Sequence, residues 1–144
     1  RSEITLKKVS YCFINNTYIS NKVVFLNNIK QLDNNLLQGY INDLGIQMVQ
    51  KMLDLYNQQS IIYLEEINKA ANDEFQQGWT ASCHKMKGAA GSVGLVSVFN
   101  YLVEIENSVD TWQEKSKNYV ELLNLNNQGI LSLSKYLGSK KASV

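Results

Sequence analysis

One segment, from Ser82 to Gly94, combines a nucleophile, positive charge and residues without bulk. His84 is the only histidine of the chain. An ordinary histidine titrates near pH ~6.5, so a large fraction of its imidazole is uncharged and nucleophilic near neutral pH. Lys87 follows three residues later and supplies a cation, and Gly88 follows four residues later and supplies no side chain. The segment is therefore a candidate site for chemistry on an exposed imidazole.

The Ala, Met and Lys content of this segment predicts a helix. At about 100° per residue, His84 lies about 140° from the centre of the apolar stripe, so it is predicted to point away from the core. Lys87 and Gly88 become its surface neighbours. Glycine in a helix costs roughly 0.5–1 kcal/mol relative to alanine, which suggests that another molecule approaches closely at Gly88. The predicted stripe consists of Phe75, Trp79, Cys83, Met86 and Ala90.

The residues His84, Lys87, Gly88 and Gly94 form the pattern His-x-x-Lys-Gly with a further glycine six residues later. This pattern resembles the histidine-containing phosphotransfer (HPt) domains of multistep phosphorelays. It is most similar to the C-terminal HPt modules of tripartite hybrid sensor histidine kinases of the ArcB and TorS type. The resemblance extends over residues 32–137.

The resemblance implies an all-α fold, an antiparallel four-helix bundle with a short additional N-terminal helix. It implies that His84 accepts a phosphoryl group from a receiver-domain aspartate and passes it to a response-regulator aspartate. Phosphoryl transfer depends on positioning and charge stabilisation, so Lys87 is expected to contact the phosphoryl oxygens. Gly88, Gly91 and Lys85 are the expected partner-binding residues. Magnesium is expected on the receiver partner, with no cofactor or metal on this chain and no autonomous enzymatic activity.

Glu106 departs from the resemblance, since the similar HPt modules carry glutamine 22 residues after the phosphorylated histidine. An ionised carboxylate cannot donate a hydrogen bond to a phosphoryl oxygen. Three interpretations of Glu106 stay open: it orients the imidazole by accepting the Nδ1 proton, it repels the phosphoryl anion, or it is an ordinary solvated residue. It is a weak candidate for the site.

Composition favours one domain without nucleic-acid or membrane contacts. The chain has 44% apolar residues and no proline, which suits uninterrupted helices around one core. A net charge of +1 gives no electrostatic surface for nucleic acid or anionic lipid. The expected organisation is a linker or N-terminal extension over residues 1–31, the HPt bundle over 32–138 and a polar tail over 139–144.

Two distant cysteines, Cys12 and Cys83, predict neither a disulfide nor a zinc site. Such cysteine usage suits a reducing compartment, and no apolar run approaches the roughly 20 residues that span a bilayer. We expect a cytoplasmic location, as part of a parent sensor kinase that is itself membrane-anchored. The isolated domain is expected to be a monomer that binds the receiver of the same hybrid kinase and a downstream response regulator.

Helical periodicity predicts where the bundle elements lie. Asp33 is expected to cap a short helix that Gly45 ends. Asp73 is expected to open the histidine helix, which Gly94 ends. Val109 is expected to close the apolar stripe of the helix that follows. The long second helix is expected over about 46–71, the helix after Gly94 over 95–109 and a polar turn over 110–117. The last helix is expected to run from this turn to about residue 137.

Two other functions compete with phosphotransfer. A helical bundle that only docks receiver domains would leave His84 unphosphorylated, and it would be free to lose the histidine, lysine and glycine set. The dimerisation helix of a histidine kinase would need an acidic residue after the histidine, but Lys85 follows here. No nucleotide-binding motif accompanies His84, which also disfavours a kinase.

Overall fold

The computed structural model describes residues 30–143, and these residues fold into helices. Within them no strand forms, and the extended pairing is one isolated antiparallel bridge between Leu32 and Leu95. The predicted all-α class is confirmed. The predicted extension over residues 1–31, including Cys12, lies almost entirely outside the described residues. The helices are α1 (Asn34–Leu44), α2 (Ile46–Asn72), α3 (Gln76–Ser92), α4 (Val96–Ile105) and α5 (Trp112–Ala142).

Four of the helices pack as a closed ring, in which α2 and α4 each contact both α3 and α5. The α2–α5 pair is antiparallel, because Gln50 accepts a hydrogen bond from Lys141 at 3.1 Å while Tyr56 donates to Asn126 at 2.7 Å. The connections between α2, α3, α4 and α5 are short, as antiparallel neighbours require. The shorter α1 packs on α2, so the predicted bundle with an additional N-terminal helix is confirmed.

The core lies on the inner faces of the four bundle helices and is mostly aliphatic. It also contains a polar cluster, in which Asn126 accepts from the Tyr56 hydroxyl and donates to Ser60 at 3.2 Å. Because these buried groups satisfy one another, the cluster avoids the cost of unpaired polar atoms. The largest side chains that are almost fully buried include Trp79, Met86, Leu102, Leu122, Leu133 and Leu137.

The segment before α1 holds the turn at the end of the histidine helix. Asp33 caps α1 by accepting from the Leu36 amide at 3.0 Å, as predicted. Its own amide donates to the Gly94 carbonyl at 2.9 Å, and the Val96 amide donates to the Gln31 carbonyl at 3.0 Å. Gly94 has a φ of +74°, a conformation that side chains disfavour, so glycine is required at this turn.

The prediction that Asp73 opens the histidine helix is wrong. Asp73 is the C-terminal cap of α2, where its amide donates to the Lys69 carbonyl at 2.9 Å and its carboxylate pairs with the Lys69 ammonium. Phe75 precedes α3 with extended backbone angles and 53% of its surface exposed. Phe75 therefore does not belong to the core stripe, because residues outside the helix do not follow its 100° spacing.

The predicted connection between the last two helices is also displaced. α4 ends at Ile105, so Val109 lies in the connection and is fully exposed instead of extending the apolar stripe. α5 begins at Trp112, within the predicted polar turn, because Thr111 and Glu114 form a reciprocal capping box. It ends at Ala142 and not near residue 137.

No helix within residues 30–143 is both long enough and apolar enough to cross a bilayer.

Candidate functional site

His84 lies at the middle of α3, on the face opposite the bundle core. Its side chain is 71% exposed, whereas Trp79, Cys83, Met86 and Ala90 on the inner face are 0% exposed. Four of the five residues of the predicted stripe are therefore correctly placed. The imidazole is anchored to a rigid helix and open to a partner from outside.

Glu106 at the C-terminal end of α4 contacts both polar groups of the predicted motif. One carboxylate oxygen, Oε1, lies 2.7 Å from His84 Nδ1, and the other, Oε2, accepts a hydrogen bond from the Lys87 ammonium. Glu106 is 6% exposed. The interpretation of Glu106 as an ordinary solvated residue is therefore wrong, and the geometry favours the interpretation in which it orients the imidazole.

The charge state of Glu106 determines which imidazole nitrogen is free. Burial alone would raise the pKa of the Glu106 carboxyl, but the hydrogen bonds and charges of Lys87 and His84 outweigh burial, and the pKa lies below its usual range. An ionised carboxylate only accepts hydrogen bonds, so we assign the proton to Nδ1 of His84. Nε2 then keeps its lone pair and is the ring nitrogen without a hydrogen bond to Glu106.

The histidine helix itself also fixes the position of Glu106. Trp79 Nε1 donates to the Ile105 carbonyl at 2.8 Å, and Thr80 Oγ1 donates to the Glu106 carbonyl at 3.0 Å. Helix C-termini leave carbonyl groups without helical partners, and these two bonds satisfy them at the end of α4. Since Trp79 and Thr80 precede His84 by one helical turn, one helix orients both His84 and Glu106.

Lys115 stabilises the connection that follows Glu106, a role that the sequence analysis missed. It is 1% exposed, and its ammonium donates to the carbonyls of Ser108 at 2.8 Å and Asp110 at 2.9 Å. The same ammonium lies 5.9 Å from the centre of the Trp79 ring and 5.1 Å from that of Trp112, both within cation–π range. The tryptophan within a predicted polar turn was the available signal for this buried cluster.

The three predicted partner-binding residues lie on different parts of the surface. Gly88 is exposed, and a Cβ atom at this position would meet no other atom within 4 Å. Gly91 is half-buried, and a Cβ there would lie 3.2 Å from the Phe99 ring of α4. The Lys85 ammonium pairs with Glu66 of α2 at 3.3 Å, on the other flank of α3. Gly88 therefore leaves open space beside His84, whereas Gly91 allows α3 and α4 to pack closely.

Two further groups bear on the surroundings of His84, the possible metal ligands and the Cys83 thiol. Among residues 30–143 no group of three or more His, Cys, Asp and Glu side chains is placed to hold a metal ion. Cys83 is completely buried, and burial raises the pKa of its thiol to about 12. The other cysteine of the chain, Cys12, lies outside the described residues.

This fold, a ring of four antiparallel helices, matches that of HPt domains. The solved structures that resemble it include two of the HPt domain of ArcB from Escherichia coli, one of them a solution structure, and each is 20% identical in sequence. One has a TM-score of 0.69 and covers 76% of this chain and 95% of that domain, and the solution structure has a TM-score of 0.65 with 77% and 90% covered. HPt protein B from Pseudomonas aeruginosa PAO1 is also similar, at 16% identity and a TM-score of 0.59, covering 79% of this chain and 96% of that protein.

In sequence, no protein-family model and no curated protein matches the chain.

Proposed function

We propose that this chain is a phosphocarrier, in which His84 accepts a phosphoryl group from a receiver-domain aspartate and passes it to the aspartate of a response regulator. The observation that supports this most strongly is the His84–Glu106 pair. With the proton assigned to Nδ1, this pair leaves Nε2 of a 71% exposed imidazole available to a partner. The HPt fold is consistent with the same role.

The transfer step needs no base on this chain. The Nε2 lone pair attacks the phosphorus of the aspartyl phosphate, a nitrogen–phosphorus bond forms, and the phosphorus–oxygen bond breaks with its electrons returning to the aspartate carboxylate. The Lys87 ammonium has three donors, of which one contacts Glu106. The others are available for a phosphoryl oxygen on Nε2, where charge stabilisation lowers the barrier.

The partner is expected to supply the remaining parts of the active site. A divalent cation would neutralise the charge that develops on the phosphoryl oxygens during transfer from an aspartyl phosphate. A receiver domain would contribute its aspartate and bound magnesium. The donor would be the receiver of a parent hybrid kinase and the acceptor a downstream response regulator, both in the cytoplasm, and the domain would act as a monomer without autonomous activity.

The deciding experiment is transfer from a magnesium-bound, phosphorylated receiver domain to this chain, followed by analysis of the product. Phosphohistidine is labile in acid and stable in alkali, and the chain has one histidine, so peptide mapping identifies the acceptor unambiguously. An acid-labile label on the peptide that contains His84 would support the phosphocarrier. Receiver binding without any label, across several receivers, would support the docking-only bundle instead.

Replacing Lys87 with methionine should slow transfer by about tenfold or more, a loss of roughly 1.4 kcal/mol of transition-state stabilisation. Methionine keeps most of the length of the side chain but removes the ammonium that contacts Glu106. The measurement is the single-turnover rate from a phosphorylated receiver. Lys69→Met is a matched control, because Lys69 forms an exposed ion pair with Asp73 at the far end of α2. A wild-type rate in Lys87→Met would make Lys87 a structural residue only.

Lys87→Met should also lower the stability of the fold in a pH-dependent way. Because the folded chain lowers the pKa of the Glu106 carboxyl, the ionised pair stabilises the fold above the unfolded pKa of about 4.3, and that stabilisation is lost as the pH falls through the folded-state value. The difference in unfolding free energy between wild type and variant should therefore be largest near neutral pH and shrink below about pH 4. Urea denaturation at several pH values measures it.

Replacing Gly88 with glutamine should slow transfer while leaving the fold as stable or slightly more stable. The new side chain would occupy open space beside His84, where a receiver must approach, and glutamine is the better helix former by roughly 0.5–1 kcal/mol. Gly138→Gln is the matched control, because Gly138 is also a helical glycine with open space around it but lies near the end of α5. Equal transfer rates in the two variants would contradict close approach at Gly88.

A further inference from the structure

We infer that Glu106 keeps the Nδ1 proton on His84 after phosphorylation, so that the phosphorylated imidazole stays in its protonated, readily transferred form. This inference rests on the proposed function and specifies how the same site is regulated. It makes Glu106 a positioning residue that sets the lifetime of the phosphohistidine. The supporting geometry is a carboxylate that is almost fully buried and has one oxygen 2.7 Å from Nδ1.

The chemistry follows from where the electrons go when the nitrogen–phosphorus bond breaks. If Nδ1 carries a proton, Nε2 takes the bonding pair and leaves as neutral imidazole, while the phosphoryl group passes to the attacking oxygen. If Nδ1 has lost its proton, the leaving group is an imidazolate anion, which is far less stable. A hydrogen-bonded carboxylate favours the protonated, positively charged ring, because an opposite charge at contact distance stabilises the charged form. The Nδ1 proton can then stay in place both when His84 is phosphorylated and when it releases the phosphoryl group.

A neutral amide at the position of Glu106 would not have this effect. Glutamine can accept the Nδ1 proton through its carbonyl oxygen, so it can orient the ring, but it adds no charge to hold the proton there. The chain is therefore expected to release its phosphoryl group faster, at neutral and alkaline pH, than a Glu106→Gln variant of itself.

Several other charged groups lie on the helices around the imidazole, and they are the same in the wild type and in Glu106→Gln. Lys87 on α3 contacts Glu106 directly, and Lys85 on α3 pairs with Glu66 of α2. From α5, the charge of Lys115 acts on the Cys83 thiol beside the histidine, as does that of Glu106. Lys87 opposes a second positive charge on the ring, whereas Glu106 is the acidic group in contact with it. The comparison of glutamate with glutamine therefore removes the acidic group in contact with the ring, while Lys85, Lys87 and Lys115 keep their charges.

The test phosphorylates His84 with phosphoramidate, which transfers its phosphoryl group to imidazole and releases ammonia, so that no receiver is needed. The phosphorylated wild type, Glu106→Gln and Glu104→Gln are then followed in parallel over a range of pH. Glu104 is an exposed carboxylate on the same helix, so Glu104→Gln controls for the loss of one negative charge. Hydrolysis rates come from phosphorus NMR, and ¹⁵N NMR of the single histidine reports directly whether Nδ1 is protonated.

The inference requires Nδ1 of the phosphorylated wild type to titrate about one pH unit or more above that of Glu106→Gln. Above both midpoints, hydrolysis of the wild type should be about tenfold faster. Glu104→Gln should behave as wild type. Coincident titration curves and rates for wild type and Glu106→Gln would overturn the inference.

Two reference measurements keep this result interpretable. Phosphorylated wild type unfolded in urea supplies a baseline without any substitution, and a folded midpoint no higher than this baseline would overturn the inference even if Glu106→Gln does not fold. Transfer from receivers is measured separately. Failure of every receiver to label the wild type would overturn the proposed function, whereas labelling combined with coincident pH profiles would overturn the role of Glu106 alone.

Discussion

His84→Gln should abolish phosphoryl acceptance completely while the bundle keeps its stability. The imidazole is the nucleophile of the proposed transfer, and the chain has no second histidine to replace it. Glutamine retains an N–H group that can donate to Glu106, so the buried carboxylate keeps a partner. Because the His84 side chain is 71% exposed and lies opposite the core, the free energy of unfolding should change by less than about 1 kcal/mol. Receiver-dependent labelling and urea denaturation of the same protein measure the two effects.

Each half of this expectation can be contradicted separately. Labelling of His84→Gln at the wild-type rate would mean that another residue accepts the phosphoryl group. A loss of several kcal/mol in stability would mean that the imidazole supports the fold, contrary to its place on the outer face of α3. Binding of the unphosphorylated variant to a receiver, measured by calorimetry, shows that any loss of label is not a loss of docking.

The orientation of the histidine helix followed from the sequence because helical periodicity was strong there. Trp79, Cys83, Met86 and Ala90 are completely buried, and His84 is on the opposite face. Phe75 was misplaced because the helix begins after it, and a helix start depends on local hydrogen bonds that periodicity does not report. Asp73 has the residue type of an N-terminal cap, but the end of α2 uses it instead.

The candidate site was only partly visible in the sequence, since its closest contact joins residues on two helices. His84 and Lys87 share one helix, so their spacing was informative. Glu106 reaches them only because α3 and α4 are antiparallel and because Trp79 and Thr80 bond to the end of α4. Burial of a charged residue depends on contacts between helices that are distant in sequence. Periodicity does not report these contacts, so Lys115 was predicted to lie in a polar turn although it is 1% exposed.

Trp79 combines complete burial with a hydrogen bond to the end of α4, so its removal should cost much of the stability of the fold. Trp79 is 0% exposed, its indole packs in the core, and Nε1 donates to the Ile105 carbonyl at 2.8 Å. Trp79→Ala should lower the free energy of unfolding by roughly 3–5 kcal/mol, through the cavity and the lost transfer free energy. Urea denaturation followed by circular dichroism measures the loss. Trp112→Ala is the matched control, since Trp112 is only partly buried, and a smaller loss is expected there.

Trp79→Phe separates the hydrogen bond from the volume of the side chain and covers the case in which Trp79→Ala does not fold. Phenylalanine still fills most of the space but leaves the Ile105 carbonyl without its donor, which should cost roughly 1–3 kcal/mol. The same change should weaken the contact between His84 and Glu106, because it loosens the end of α4 that carries Glu106. In ¹⁵N NMR the imidazole of Trp79→Phe should then shift from the Nδ1–H form of the wild type towards a mixture of tautomers. A wild-type spectrum together with wild-type stability would show that the Thr80 bond to the Glu106 carbonyl is sufficient to position the carboxylate.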